Sequence, residues 1–202
     1  MIKNIIFDMG NVLLKFDRNY FLDAVGVKPA DRRTLMNNVY LSLEWAKMDR
    51  GSMTEEEAAA SMCSRLSERL HEQAHLLVDR WDRPILPVPG MAELVRELKE
   101  AGYGVYLLSN ASYRQHEYWP RVPGSEYFDG TLISADVKLV KPCAEIYELL
   151  YSTFDLTPSE CLFIDDSAPN IEGAESTGMP GIVFHGGADE LRGEMKAFGV
   201  KV

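Results

Sequence analysis

Five short apolar runs, Ile5–Phe7, Val105–Leu108, Thr131–Ile133, Cys161–Ile164 and Ile182–Phe184, are rich in β-branched and aromatic residues and have helical patterns between most of them. Strands joined through helices pair in parallel, so the alternation predicts an α/β fold with a parallel sheet covered on both faces. The helix before the second run is explicit. Met91, Leu94, Val95, Leu98 and Ala101 recur at helical spacing after Pro89, and Gly102 stands where a helix terminates. A second helix is predicted over 143–153, with Ile146, Tyr147, Leu149 and Leu150 on its apolar side. Thr157-Pro158-Ser159-Glu160 has the form of a capping box opening a short turn before the fourth run.

The stretch between the first and second runs is too long for an ordinary crossover and holds helical patterns without a convincing strand. It reads as an inserted α-helical cap domain over 17–86, leaving 1–16 and 87–202 for a Rossmann-like, doubly wound core. Within it, Thr54 and Glu57 form a capping box opening a helix through Ala58, Met62, Leu66 and Leu70. Tyr20, Trp45 and Trp81 admit two readings, as aromatic residues facing a bound substrate or, the safer one, as part of the small core that such a layer needs.

A chain of 202 residues can bury one good core and carry a small second unit. Its 31 acidic against 21 basic side chains give a formal charge of −10, which opposes a broad nucleic-acid or anionic-membrane surface. No run approaches the ~20 apolar residues that span a bilayer, and the expected location is cytoplasmic, as a monomer or homodimer. Cys63, Cys143 and Cys161 lack CxxC spacing and are expected to be reduced, buried core residues.

Asp8 directly follows the first strand and precedes Gly10-Asn11, so its carboxylate is expected at the carboxyl edge of the sheet, where open α/β sheets bind ligands. Alone it reads equally as nucleophile, metal ligand or helix cap. Three more polar groups follow strands or an adjacent loop: Ser109-Asn110, Lys141-Pro142 and Asp165-Asp166. Phosphoryl transfer to a carboxylate needs parts of these kinds, namely an oxygen nucleophile, a divalent cation against anionic repulsion, and donors for the transferring oxygens.

Phe7-Asp8-Met9-Gly10-Asn11-Val12-Leu13, Ser109-Asn110, Lys141-Pro142 and Asp165-Asp166-Ser167-x-x-Asn170 resemble the four ordered motifs of the haloacid dehalogenase superfamily. The resemblance implies that Asp8 attacks phosphorus, and that Mg²⁺ is held by Asp8, the Gly10 carbonyl and the acidic pair. In that pair Asp166 is the direct ligand, and Asp165 gives direct or water-mediated support. Ser109 and the Asn110 amide would donate to phosphoryl oxygens, Lys141 would neutralise charge on phosphate and nucleophile, and Asn170 would orient the pair or cap a helix. The implied partner is a small phosphorylated metabolite. Asp-x-Gly-Asn-Val at 8–12, Arg50-Gly51-Ser52 and Asn-Ile-Glu-Gly-Ala at 170–174 resemble in particular bacterial α-D-glucose-1-phosphate phosphatases of this superfamily, which suggests a sugar phosphate.

One departure matters. Many phosphatases of the superfamily carry a second aspartate, the general acid and base, where this chain has Gly10. Such catalysis is typically worth ~10²–10⁴-fold. Asp17 admits two readings, as a substrate-facing substitute or as a helix cap. Two rival functions share the fold: an L-2-haloacid dehalogenase, whose aspartate attacks carbon without Mg²⁺, and a non-catalytic binding protein. His71-Glu72-Gln73-Ala74-His75 fits a zinc-protease pattern but lacks a third ligand at a known spacing, and Arg114, His116 and Trp119 either line the entrance or lie on a surface helix.

Overall fold

The computed structural model describes residues 1–202. Five strands, β1 (Asn4–Phe7), β2 (Gly104–Ser109), β3 (Gly130–Ile133), β4 (Cys161–Asp165) and β5 (Gly181–Val183), form one parallel sheet in the order β3-β2-β1-β4-β5. The chain therefore starts at the centre and winds outward to both sides. Because side chains alternate across a strand, each run feeds two cores. Ile5, Phe7, Val105, Leu107, Leu162 and Ile164 pack on one face, whereas Ile6, Leu108, Phe163 and Cys161 pack on the other. All five predicted strands are present. Phe184 falls one residue beyond β5 and is buried in the first of these cores.

Between β1 and β2 the chain forms α1 (Arg18–Ala24), α2 (Arg32–Leu35), α3 (Leu43–Asp49), α4 (Glu55–Cys63) and α5 (His71–Asp79), then returns through α6 (Met91–Glu100). Later come α7 (Gln115–Tyr118), α8 (Ser134–Val137), α9 (Ala144–Phe154), α10 (Ala168–Ser176) and α11 (Ala188–Ala197). Met91, Leu94, Val95 and Leu98 of α6 join Leu191 and Met195 of α11 on the first face of the sheet, and Ile146, Tyr147 and Leu150 of α9 join Ile171 and Ala174 of α10 on the second. Gly102 takes φ +88°, and the Tyr103 N–H donates to the Leu98 carbonyl at 3.1 Å, closing α6 as its glycine promised.

Helices α1 to α5 bury a separate cluster of 16 residues, including Phe21, Leu35, Val39, Met62 and Leu77. Thr54 caps α4: its hydroxyl accepts from Glu57 N–H at 3.2 Å, while Glu57 accepts from Thr54 N–H at 3.0 Å. The chain's two passages between this layer and the sheet run side by side, with Lys15 N–H donating to Leu86 O at 2.7 Å and Val88 N–H to Leu13 O at 2.9 Å.

Three local expectations are corrected. Cys143 is exposed, because it caps α9 from the loop after Lys141-Pro142 instead of lying on the helix's apolar face. Thr157 makes no side-chain cap; the turn Pro158–Glu160 is a single 3₁₀ turn closed by Glu160 N–H to Thr157 O at 2.9 Å, and the Glu160 carboxylate instead meets Lys3 Nζ at 2.7 Å. Tyr20 is exposed on α1, its ring crossing that of Phe21 edge to face with centroids 5.8 Å apart.

Within the helical layer, buried Glu44 takes both Arg65 donors, at 2.7 and 2.9 Å, and the Ser61 hydroxyl at 2.8 Å. The Arg65 hydrogen bonds hold its carboxyl down to about 2, from the ordinary 4.5. A depressed carboxylate stabilises the fold fully above its unfolded value and loses that contribution as pH falls through the folded one. Glu44→Gln should therefore flatten the fall in urea-measured stability between pH 4.5 and 2; an unchanged acid limb would contradict the assigned pair.

Candidate active site

Parallel pairing sets the site. Phe7 is in register with Ile164 on one side and Leu107 on the other, so Asp8, Asp165 and the Leu108 carbonyl emerge at one level of three adjacent strands. Lys141 closes over them. Its Nζ donates to Asp8 Oδ1 at 2.7 Å, to Asp165 Oδ2 at 2.6 Å and to Leu108 O at 2.9 Å, which accounts for all three ammonium protons. The Lys141 side chain is 1% exposed and lies 5.2 Å from the Phe163 ring centroid. Burial pushes the Asp8 carboxyl up to about 6, against the pull of Lys141. Burial also works against the Lys141 ammonium, but the Asp8 and Asp165 carboxylates outweigh it and hold its pKa above the ordinary lysine value.

Asp8 opens a tight turn. Asn11 adopts a left-handed φ of +57°, and the Leu13 and Leu14 N–H groups both donate to Met9 O, at 2.9 and 3.0 Å. Buried Met9, Val12 and Leu13 anchor the turn from below. The Asn11 amide donates to Asp166 Oδ2 at 2.8 Å, joining the first loop to the acidic pair. Asp165 is fully buried; beside Lys141 it accepts from Ser167 N–H at 2.8 Å and from Asn170 Nδ2 at 3.0 Å to each oxygen. Of its two readings, Asn170 thus takes the orienting one. Asp166 is exposed to the cleft, and carboxylate oxygens of Asp8, Asp165 and Asp166 lie within 4.8 Å of one another. Three carboxylates against one ammonium leave two negative charges at close quarters, so the donor set fits a hard divalent cation.

Asn110 holds Lys141 in place. Its amide donates to Lys141 O at 3.0 Å, and its carbonyl accepts from Lys141 N–H at 2.9 Å. The side-chain amide is therefore engaged within the protein. Gly173 of α10 packs against the same loop, where a Cβ would meet Pro142 O at 2.6 Å.

A cleft of about 300 Å³ opens over these groups, lined from the sheet by Asp8, Gly10, Ser109, Asn110, Lys141 and Asp166. The helical layer contributes Trp45, Met48, Asp49, Glu55 and Val78, with Phe16, Arg18 and Trp81 near its two connections. Trp45 and Trp81 serve both readings at once, packing on the helical core and walling the cleft. Two contacts dock the layer on the sheet here: Ser112 Oγ donates to Glu55 at 2.6 Å, and Ser134 Oγ donates to the Asp49 carbonyl.

Asp17 is corrected to a cap. Its Oδ1 accepts from Asn19 and Tyr20 N–H at 2.9 and 3.1 Å, fixing it at the start of α1 and outside the cleft. Arg114 and Arg121 both bind buried Asp82, His116 meets Asp136, and Trp119 packs on Phe128, so none of the surface candidates after β2 reaches the cleft. His71 Nε2 lies 3.2 Å from Leu66 O within its own layer. Sequence reasoning missed Asn11, Asp49 and Glu55. The first was signalled by its Gly-Asn turn; the others become visible only when the helices dock.

Residues 2–178 match the family model of haloacid dehalogenase-like hydrolases. A sesquiterpene phosphatase of Aspergillus oryzae is 30% identical over 187 residues, 89% of this chain and 88% of that protein. A D-ribitol-5-phosphate phosphatase of Bacteroides thetaiotaomicron is 27% identical over 202 residues, 94% of this chain and 95% of that protein. Among solved structures, a haloacid dehalogenase-family enzyme from Bacteroides thetaiotaomicron, in complex with magnesium and inorganic phosphate, superposes with a TM-score of 0.70 at 24% identity, covering 94% of this chain and 97% of that one.

Asn110→Ala should cost about 1–3 kcal/mol of stability in urea denaturation, since it strips the partners from the Lys141 N–H and carbonyl. A variant as stable as the wild type would show that this clamp contributes nothing.

Proposed function

The chain belongs to the haloacid dehalogenase-like hydrolases, and from that premise we propose that it is a Mg²⁺-dependent phosphatase of small phosphomonoesters, working through a phospho-aspartyl intermediate on Asp8. The observation that carries the reading is the convergence of Asp8, Lys141 and the acidic pair in one cleft. A bare aspartate at a strand end fits many tasks. An aspartate held by a fully engaged lysine, beside two further carboxylates that fit a divalent cation, suits attack on phosphorus.

Asp8, the Gly10 carbonyl and Asp166 would hold Mg²⁺, with Asp165 fixing Lys141 and supporting the metal through close carboxylate charge. Bound there, Mg²⁺ would lower the repulsion between the Asp8 carboxylate and the substrate's phosphoryl oxygens. Ser109 Oγ and the Asn110 backbone N–H donate to those oxygens, and Lys141 steadies the charge that builds on them. Asp8 forms the P–O bond as the ester oxygen leaves; water then cleaves the acyl phosphate and restores the carboxylate. Residues 17–86 act as a lid that excludes bulk water and walls the leaving group.

The cleft is at the small end of the roughly 300–1,000 Å³ usual for ligand sites, which suits a sugar or sugar-alcohol phosphate, the α-D-glucose 1-phosphate class included. The similarity to a D-ribitol-5-phosphate phosphatase supports this reading. A second substrate class, an isoprenoid phosphate, is favoured by the Phe16, Trp45 and Trp81 wall and by the similarity to a sesquiterpene phosphatase. Arg18, Asp49 and Glu55 on the same wall tip the balance toward a hydroxylated leaving group.

Phosphate release from sugar, sugar-alcohol and isoprenyl phosphates, with Mg²⁺ or EDTA, tests the proposal. The expected result is turnover of the polyol esters that EDTA abolishes and that Asp8→Asn reduces on the order of 10⁴-fold or more. Activity that survives either change would sink it, and chloride release from 2-chloropropionate without metal would favour the dehalogenase instead.

A further inference from the structure

Two steps of that reaction move a proton, and residue 10 offers no group to carry it. The backbone does not demand glycine there. Gly10 lies outside the left-handed region, and a Cβ would stand 3.8 Å from Asp8 Oδ2, an ordinary contact. The backbone alone thus does not account for the missing acid, and the proton has to come from another side chain in the cleft.

The cleft holds few candidates. Asp165 is fully occupied by four hydrogen bonds, and Asp166 is joined to Asn11. Glu55 accepts the Ser112 hydroxyl. Tyr118 is 1% exposed, and burial raises its phenol well above the ordinary value, so it keeps its proton. Asp49 differs from all of these. It is the last residue of α3, it lines the cleft opposite the sheet, and its partners are neighbouring charges alone.

Its backbone is fixed to the sheet. Ser134, fully buried, accepts from Ala111 N–H at 2.9 Å and donates to the Asp49 carbonyl, tying the end of α3 to the loop that follows Ser109 and carries Asn110. Two residues on, Gly51 sits at φ +70° so close to α8 that a Cβ would fall 2.2 Å from Ala135 O. No larger residue fits that approach without moving α3 away. This close backbone approach of the helical layer to α8 thus lies beside the one unengaged carboxyl that the layer sends into the cleft.

We propose that Asp49 is the general acid and base of the phosphatase reaction, an assignment that rests on the function proposed above. In the first half, Asp8 bonds to phosphorus, the bond to the ester oxygen breaks, and Asp49 gives that oxygen its proton, releasing an alcohol. In the second, Asp49 as carboxylate takes a proton from water, the water oxygen bonds to phosphorus, the Asp8–phosphorus bond breaks, and phosphate leaves with Asp49 reprotonated. Burial, reinforced by Glu55 and Asp8, raises the Asp49 carboxyl to about 8, which favours the protonated form that the first half uses.

Asp49→Asn separates the two halves when the leaving group is varied. p-Nitrophenolate departs without a proton, so that ester should give a full first-turnover burst of one product per enzyme, then a steady rate ~10²–10⁴-fold below wild type as Asp8 stays phosphorylated. An alkyl or sugar phosphate, whose leaving oxygen needs the proton, should lose the burst as well. Asp49→Ser should behave the same way, and both variants should melt as the wild type does. A steady rate unchanged in either folded variant, or a burst lost for p-nitrophenyl phosphate along with the alkyl ester, would overturn the assignment. Failure of the phosphatase reading itself looks different: the wild type would be inert, or indifferent to Asp8→Asn.

Discussion

The Lys141 ammonium, enclosed by Asp8 Oδ1, Asp165 Oδ2 and the Leu108 carbonyl, is the constraint to which the rest of the site answers. Two buried carboxylates on neighbouring strands repel each other, and removing their cation would cost roughly 3–5 kcal/mol. The sheet order makes this meeting unavoidable. β1 lies between β2 and β4, and the register sets Asp8 level with Asp165 and Leu108. The same alternation that sends Ile6 and Phe163 into the second core points Asp8 and Asp165 to that side, where Lys141 crosses the Phe163 ring. Asn110 and Gly173 then fix the lysine's loop, one by paired hydrogen bonds and one by close packing.

Charge balance links this centre to the layer above it. Lys141 offsets one of three converging carboxylates, which is why the set fits a divalent cation, and the cleft gains Asp49 and Glu55 when α3 and α4 dock. Docking is specific: Ser134 and Ser112 each bond across the boundary, and Gly51 admits backbone contact. The helical layer thus does more than cover the site, since it brings carboxyl chemistry that the sheet edge lacks at Gly10.

Much of the sheet was legible because parallel strands buried on both faces read as continuous apolar runs, and each of Asp8, Ser109 and Asp165 stands at the end of one. Lys141 was legible through its loop, although its three-way bonding is a product of register and not of local sequence. Asp17 shows where local reading ends. Its two hydrogen bonds to α1 are local, but whether it also reaches the cleft depends on where the first loop sends the chain. Asp49 was out of reach for a related reason: it directly precedes Arg50-Gly51-Ser52 but belongs to none of the four catalytic motifs, and apart from nearby Glu55 its setting comes from residues 111, 134 and 135, far along the chain. Cys143 and Thr157 misled because apolar neighbours and cap-like spacing say nothing about a three-residue turn or a loop held outward by its lysine.

The stereochemical course at phosphorus tests the central claim most directly. Turnover of a phosphorothioate ester made chiral by oxygen isotopes, in isotopically labelled water, reports whether the group is transferred once or twice. Attack by Asp8 followed by attack by water inverts the centre two times, so the account predicts net retention. Net inversion would mean that water displaces the leaving group directly, and Asp8 would then have no covalent role.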